Sequence, residues 1–257
     1  MDCRRSQKAG RAQRAAFYRH GTAYNLVPMQ ITITDFVAGA RAARGTTVVI
    51  DVFRAFSVAA YAFDRGVASI IPTAGIEEAR ELKAQHPDFL LIGERYGKRL
   101  PGFDCGNSPT ELRRFDLAGR TLIQTTHSGT QGLANAIQAD EVLTGALVNA
   151  AAIVRYLRAT HPSQITLVRM GQQASQRCDE DDLCAELLAE RLEGRTFDVS
   201  SVAKRLRDAP SAQKFFDPAC DWAPSEDFAA CSELDRFDFV LQLDRSSVPP
   251  CLRRIDT

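Results

Sequence analysis

Acidic and basic side chains stand directly after two apolar stretches of the sequence. Asp51 and Arg54 follow the first stretch, and Glu94 and Arg95 follow a second one that ends in Gly93. A carboxylate can bind Mg²⁺, and a guanidinium can bind two oxygens of a phosphoryl group. A helix-capping Asp with a neighbouring Arg would explain the first pair without any function. Both interpretations stay open at this point.

Two polar turns add hydrogen-bond donors. In the first turn, Asn107 precedes Ser108, which can either bind an anion or cap a helix that starts at Pro109. The second turn passes from a strand into a helix, and its hydroxyl and N–H groups suit phosphate or sulfonate. The candidate ligand-binding residues of this second turn are Thr125, Thr126, Ser128, Gly129 and Thr130. His127 lies among them as either a general acid or a simple loop histidine.

Four consecutive acids, Asp179–Asp182, precede a run of leucines with helical spacing. Acids at a helix start are favoured by the helix dipole, which explains one or two of them. Clustered carboxylates repel one another unless water or a cation separates them. Glu180 and Asp181 are therefore candidate Mg²⁺ ligands, whereas helix capping alone explains Asp182.

Strand and helix patterns alternate from Thr46 onward. The predicted strands are Thr47–Ile50, Ala68–Ile71, Phe89–Ile92, Thr121–Thr125, Glu141–Leu143 and Ile165–Val168. The predicted helices are Ser57–Arg65, Ile76–Gln85, Gly129–Gln138, Ala150–Ala159 and Asp182–Glu193. This alternation predicts an α/β fold of three α/β/α layers around a largely parallel or mixed sheet. Because ligands bind beyond the carboxyl ends of parallel strands, the polar residues there are expected to meet at one sheet edge.

The two ends of the chain differ from its middle. Residues 1–28 are basic and lack apolar periodicity, which predicts a disordered extension. Residues 29–257 are predicted to form a single α/β domain, in which prolines make the portion 196–257 less regular. Phe239–Leu243 is predicted to supply one more strand there.

Composition excludes several classes of protein. The 257 residues carry 32 basic and 32 acidic side chains, so no overall charge favours nucleic acid or an anionic membrane. Seven cysteines without redox or zinc spacing predict free thiols in a reducing cytoplasm. No apolar run approaches the roughly 18 residues that span a bilayer. We therefore expect a cytoplasmic protein with no nucleic-acid or membrane partner, and we leave a homo-oligomer open.

Taken in order, these stretches resemble the 2-phosphosulfolactate phosphatase family. The shared positions are Asp51 and Arg54, Gly93–Arg95, Gly102–Pro109, Thr125–Thr130, and Glu180 with Asp181. The likeness covers the chain from about Met29 to its end. It implies an α/β/α phosphatase that uses Mg²⁺ to remove phosphate from (2R)-phosphosulfolactate, a small phosphorylated and sulfonated acid, on the route to coenzyme M.

The resemblance also implies roles for the candidate residues. Catalytic roles fall to Asp51, Arg54 and Glu94, Mg²⁺ binding to Asp51, Glu94, Glu180 and Asp181, and substrate binding to Arg95, Asn107, Ser108 and the residues of the Thr125–Thr130 turn. The sequence leaves open whether water attacks phosphorus directly or Asp51 is phosphorylated first.

The sequence departs from the family pattern at three places, which are Phe56-Ser57, His127-Ser128 and Arg169-Met170-Gly171. These departures concern substrate identity more than phosphate chemistry. The alternatives are therefore a phosphatase of the same fold for another small phosphorylated acid, or an inactive protein that binds small anions.

Overall fold

The computed structural model describes residues 29–257, and the extension predicted for residues 1–28 lies outside the described residues. Its strands are β1 (Gln30–Asp35), β2 (Thr46–Ile50), β3 (Ser69–Thr73), β4 (Leu90–Arg95), β5 (Lys98–Arg99), β6 (Thr121–Thr125), β7 (Glu141–Gly145), β8 (Gln164–Arg169), β9 (Phe239–Asp244) and β10 (Cys251–Asp256). Its α-helices are α1 (Phe36–Ala42), α2 (Ala55–Asp64), α3 (Ile76–Gln85), α4 (Pro109–Leu112), α5 (Gly129–Asn135), α6 (Ala150–Thr160), α7 (Asp179–Leu192), α8 (Val202–Asp208) and α9 (Ser225–Ser232). Short 3₁₀ helices span Leu147–Asn149, Val199–Ser201 and Pro210–Phe215.

The strands form one mixed sheet in the order β1-β8-β2-β7-β9-β10-β3-β6-β4-β5. Strands β1, β8, β2 and β7 run parallel to one another, as do β3, β6 and β4. The antiparallel hairpin β9–β10 joins these two groups, because β9 pairs with β7 and β10 with β3, both antiparallel. The predicted α/β class with a mixed sheet is thereby confirmed.

Helices cover both faces of the sheet. Val49 of β2 packs in a core with residues of α2 and α5, whereas Val48 and Ile50 pack in a second core with α6 and α7. This alternation follows from the period of two in a strand, which sends neighbouring side chains to opposite faces. All five residues of β2 are buried, so the strand end that carries Asp51 rests on packed layers on both sides.

Strands β1 and β10 are among the elements that the sequence patterns did not predict. Strand β1 pairs with β8 at the sheet edge and continues directly into α1. Strand β10 follows Pro249 and Pro250, and with β9 it fills the centre of the sheet. The less regular portion of the chain therefore contributes two central strands rather than one.

The six cysteines between residues 29 and 257 are all free, as expected. None of the helices in this range is long and apolar enough to cross a membrane.

Candidate active site

A cleft with a cavity volume of about 100 Å³ lies beside the ends of β2, β4, β6 and β8. It is lined by Asp51, Phe53, Arg54, Glu94, Tyr96, Gly97, Asn107, His127, Ser128, Gly171, Gln172, Gln173, Lys214 and Trp222. Five residues predicted to be functional are therefore together: Asp51, Arg54, Glu94, Asn107 and Ser128. The sequence predicted that parallel strands bring Asp51 and Glu94 to one sheet edge. This part of the prediction is wrong, because β2 and β4 belong to different parallel groups, which the hairpin β9–β10 separates.

Asp51 is a buried carboxylate held by backbone amides. It follows β2 directly, and its Oδ1 accepts a hydrogen bond from the Ala55 amide at 3.1 Å. The amide of Gly129 also lies close enough to the carboxylate to lower its pKa. A Cβ at position 129 would lie 2.9 Å from Asp51 Oδ2 and 2.8 Å from the Ala55 side chain, so only glycine allows this approach. The start of α2 and the start of α5 thus fix Asp51 from two sides.

Burial raises the pKa of Asp51 to about 7. The two amides oppose this shift, whereas the negative charges of Glu94 and Glu180 increase it. Burial, followed by the charges of Asp51 and Glu180, also raises the pKa of Asp181 well above its ordinary value. Carboxylates therefore surround Asp51, and an added cation would relieve their mutual repulsion.

Asp181 and Glu180 lie behind the cleft at the start of α7. The two oxygens of Asp181 accept hydrogen bonds from the amides of Val52, at 2.9 Å, and Gly171, at 2.8 Å. Asp181 therefore ties the segment after β2 to the segment after β8. Glu180 Oε2 accepts a hydrogen bond from the Ser211 hydroxyl and so holds the Pro210–Phe215 helix against α7.

Glu94 ties two loops to the end of β4. Its Oε1 accepts a hydrogen bond from the His127 amide at 2.7 Å, and its Oε2 accepts one from the Gly97 amide at 2.7 Å. The neighbouring Gly93 has a φ of 155°, and a Cβ there would lie 2.1 Å from the Thr125 carbonyl oxygen. The close backbone approach predicted from this glycine is therefore present.

Arg54 is buried and held in place by protein groups. Its guanidinium pairs with Asp227 at 2.7 Å and donates to the carbonyl oxygens of Trp222, at 3.0 Å, and Gly97, at 2.9 Å. Three of the five N–H donors of the guanidinium are thus used, and the other two have no partner among the described residues. Asp227, which the sequence analysis did not single out, also accepts hydrogen bonds from the Ser108 hydroxyl and the Thr110 amide.

Most polar groups of the Thr125–Thr130 turn bond within the protein. The hydroxyls of Thr126 and Thr130 each accept a hydrogen bond from the amide of the other residue. Thr125 Oγ1 accepts a hydrogen bond from Arg95, whose guanidinium also donates to the carbonyls of Glu94 and Ala74. These contacts shape the turn, and within it His127 and Ser128 face the cleft.

Ser108 likewise acts as a helix cap. Its hydroxyl accepts a hydrogen bond from the Glu111 amide at 3.1 Å and donates one to Asp227 at 2.9 Å. The neighbouring Asn107 lines the cleft instead. The capping interpretation of Ser108 therefore has direct geometric support, and substrate binding by this residue stays a prediction.

The carboxylates at the cleft fit a divalent cation with few protein ligands. Mg²⁺ is usually held by one or two carboxylates, with water and substrate phosphate oxygens completing its shell. Asp51 and Glu94 both line the cleft and are the residues that could hold such an ion. Within residues 29–257, no three His, Cys, Asp or Glu side chains form a metal-binding group. Glu180 and Asp181 do not line the cleft, and Mg²⁺ binding by these two residues stays a prediction.

Sequence reasoning missed the contribution of the C-terminal segment to the cleft. Lys214 and Trp222 come from a stretch without a motif and reach the cleft by tertiary packing. Gly171–Gln173 could have been found, because they follow the end of β8 after one residue, and ligands bind at strand ends.

The raised pKa of Asp51 predicts a pH-dependent stability. A carboxyl whose pKa is higher in the folded than in the unfolded protein stabilises the fold fully below its unfolded pKa of 3.8. This contribution to the free energy of unfolding is lost as the pH rises through the folded pKa of about 7. Between about pH 5 and pH 8 in EDTA, we expect the wild type to lose about 2 kcal/mol more stability than Asp51→Asn. Denaturant unfolding at each pH measures this difference.

The exposed Asp64 at the end of α2 provides a control, since Asp64→Asn is expected to follow the wild-type profile. Parallel profiles for the wild type and Asp51→Asn would contradict the assignment of a raised pKa to Asp51.

Comparisons with known proteins place this geometry in context. Residues 33–246, which include every cleft residue, match the 2-phosphosulpholactate phosphatase family. A probable 2-phosphosulfolactate phosphatase of Bacillus subtilis strain 168 is 30% identical over 209 residues, which cover 81% of this chain and 91% of that protein. A protein of the same description from Clostridium tetani is 33% identical over 177 residues, or 67% and 75% of the two chains. One from Deinococcus radiodurans is 39% identical over 146 residues, or 56% and 60%.

Proposed function

The chain belongs to the 2-phosphosulpholactate phosphatase family, and from this we propose that it hydrolyses 2-phosphosulfolactate with Mg²⁺. Its enzyme class is that of the phosphoric monoester hydrolases. The reaction consumes one water, breaks the ester P–O bond, and leaves phosphate and the free hydroxyl of sulfolactate. We place it in the cytoplasm on the route to coenzyme M.

The observation that carries this proposal is the mixture of charges in one cleft. Asp51 and Glu94 line it together with Arg54 and Lys214. Phosphomonoester hydrolysis depends mainly on neutralising the phosphoryl oxygens and on fixing the reacting groups in position. Carboxylates that can hold a cation, beside cations that can bind the substrate directly, meet both needs.

Asp51 and Glu94 are the residues that would hold Mg²⁺. When bound there, the ion would neutralise charge on the phosphoryl oxygens as a Lewis acid. The amides of Ala55 and Gly129 keep the Asp51 carboxylate oriented toward the cleft, so its position costs no rearrangement during the reaction. The free donors of Arg54 would bind the phosphate that is transferred.

The positive charges of the cleft suit the negative charge of the proposed substrate. 2-Phosphosulfolactate carries a phosphate, a carboxylate and a sulfonate, and all of them are ionised near neutral pH. A cleft with carboxylates alone would repel such a molecule, whereas Arg54 and Lys214 supply compensating positive charge.

A substrate panel tests the proposal. Phosphate release is measured with 2-phosphosulfolactate, 2-phospholactate and phosphoglycolate, each with Mg²⁺, with EDTA, and with Mg²⁺ restored after EDTA. We expect the first compound to give a kcat/KM at least about tenfold above the others, because it alone presents a sulfonate. We expect EDTA to remove at least about nine-tenths of the activity and added Mg²⁺ to restore it.

The panel also separates the alternatives. A faster reaction with another phosphorylated acid would identify a phosphatase of the same fold with a different substrate. No turnover with any compound, together with thermal stabilisation by the same anions, would identify a small-anion binding protein.

A further inference from the structure

We propose that Lys214 binds the sulfonate of the substrate and thereby sets the preference for sulfonated phosphoesters. This inference rests on the proposed function and extends it to a substrate-binding residue in the C-terminal segment. Neither the sequence motifs nor the strand ends point to this lysine. Its surroundings in the cleft do.

Lys214 offers a charge that no carboxylate of the described residues neutralises. It is half-buried and lines the cleft, and within residues 29–257 no carboxylate lies within 4 Å of its ammonium group. Arg54, the other cation that lines the cleft, is paired with the fully buried Asp227 at 2.7 Å. Since an ammonium group at the wall of a cleft attracts anions, Lys214 is the residue best placed to bind a second acidic group of the substrate.

The two cations are held around one aromatic ring. The Lys214 ammonium lies 5.2 Å from the ring centre of Phe215, and the Arg54 guanidinium carbon lies 5.9 Å from the same centre. The Phe215 ring is buried and packs edge-to-face on Phe53 at 5.2 Å. Two positive groups are therefore fixed at neighbouring places of the cleft, as a substrate with two strong anionic groups requires.

The helix that carries Lys214 is anchored to the rest of the site. Lys214 lies in the 3₁₀ helix Pro210–Phe215, whose Ser211 hydroxyl donates a hydrogen bond to Glu180 at the start of α7. Glu180 is buried and close enough to Asp51 to raise its pKa. The position of Lys214 is thus set relative to the carboxylate at which the reaction is proposed to occur.

Arg54 and Lys214 bind different anionic groups of the substrate. A guanidinium presents a planar fork of donors, which suits the phosphate that Arg54 is proposed to bind. A lysine ammonium is a compact point charge with rotatable donors, so from its position beside the Phe215 ring Lys214 can bind the oxygens of a tetrahedral sulfonate. The sulfonate is also the group that distinguishes this substrate from 2-phospholactate.

The test removes the charge from the protein and the sulfonate from the substrate in turn. We measure kcat/KM on 2-phosphosulfolactate and on 2-phospholactate for the wild type, Lys214→Gln and Lys214→Arg. We expect the kcat/KM of Lys214→Gln on 2-phosphosulfolactate to fall about 10- to 100-fold, as the loss of one charged hydrogen bond predicts. On 2-phospholactate we expect the fall in kcat/KM to be at least about tenfold smaller. Lys214→Arg should recover part of the loss.

Lys204→Gln is the matched control, because Lys204 lies on the outer surface of α8 and pairs with Asp208. We expect it to keep wild-type values with both compounds. Equal losses with both compounds for Lys214→Gln, or no loss with either, would overturn the inference. Lys214 would then act on the phosphate or on the fold, or on neither.

Product binding keeps this test separate from the test of the proposed function. Calorimetry compares sulfolactate with lactate for the wild type and Lys214→Gln. We expect the substitution to weaken sulfolactate binding about tenfold or more and to leave the weaker binding of lactate within about twofold. If the wild type hydrolyses neither phosphoester, the proposed function fails, and sulfolactate binding alone decides the role of Lys214.

Discussion

Asp51→Asn is expected to lower turnover on 2-phosphosulfolactate by about 100-fold or more. The substitution removes a charge from the carboxylate that is best placed to hold Mg²⁺, and losing a Lewis acid costs several kcal/mol of transition-state stabilisation. The asparagine oxygen can still accept the hydrogen bond from the Ala55 amide, so the start of α2 is retained. Phosphate release at saturating substrate, with Mg²⁺ varied, measures both the loss and the change in Mg²⁺ requirement.

Asp182→Asn is the matched control. Asp182 lies at the start of α7 and pairs with Arg169 at 3.1 Å and with the exposed Arg177 at 2.7 Å. Since partly exposed ion pairs contribute little, we expect a change in turnover below about threefold. If Asp51→Asn folds normally and keeps near-normal Mg²⁺-dependent activity, the strand-end acids are structural and the assignment fails.

The helices and strands could be predicted where apolar residues recur with one clear period. The predicted helix Ile76–Gln85 and the predicted strand Thr121–Thr125 have the bounds of α3 and β6 in the structure. Strand β1 was missed because it is an edge strand, and Ile33 within it stays 39% exposed. Strand β10 was missed because it begins right after Pro249-Pro250, which reads as irregular chain.

The site could be predicted only in part. The rule that ligands bind at strand ends led to Asp51, Glu94 and Ser128, all of which line the cleft. The same rule could not tell that Thr126 and Thr130 satisfy each other, because side-chain geometry within a turn is not encoded in spacing. Lys214 comes from a segment that no strand end predicts, and its place depends on packing across the molecule.

The pairing of Arg54 is a further case of this limit. From the sequence, Arg54 follows the first acidic strand end and predicts an anion-binding residue. The structure adds Asp227 of α9, which is fully buried. In the sequence it cannot be told from an ordinary acidic residue in the first turn of a helix. Arg54 therefore has a structural task as well as the proposed one, and its position in the cleft depends on a residue far away in sequence.

Asp227→Ala is expected to destabilise the protein by about 3–5 kcal/mol, because it leaves the buried Arg54 charge without a partner. It also removes the acceptor for the Ser108 hydroxyl and the Thr110 amide, which start α4. For a domain of this size, we expect the melting temperature to fall by roughly 10 °C. Denaturant unfolding and thermal melting measure the two quantities.

Three further variants separate charge from packing. Asp227→Asn keeps an acceptor for α4 but loses the charge, so we expect an intermediate loss of stability. The double variant Arg54→Leu with Asp227→Leu should be more stable than Asp227→Ala, because removing both charges leaves none unpaired. Asp238→Asn, in an exposed pair with Arg155, should change stability by less than about 0.5 kcal/mol. A double variant as unstable as Asp227→Ala would show that cavity formation, and not the unpaired charge, accounts for the loss.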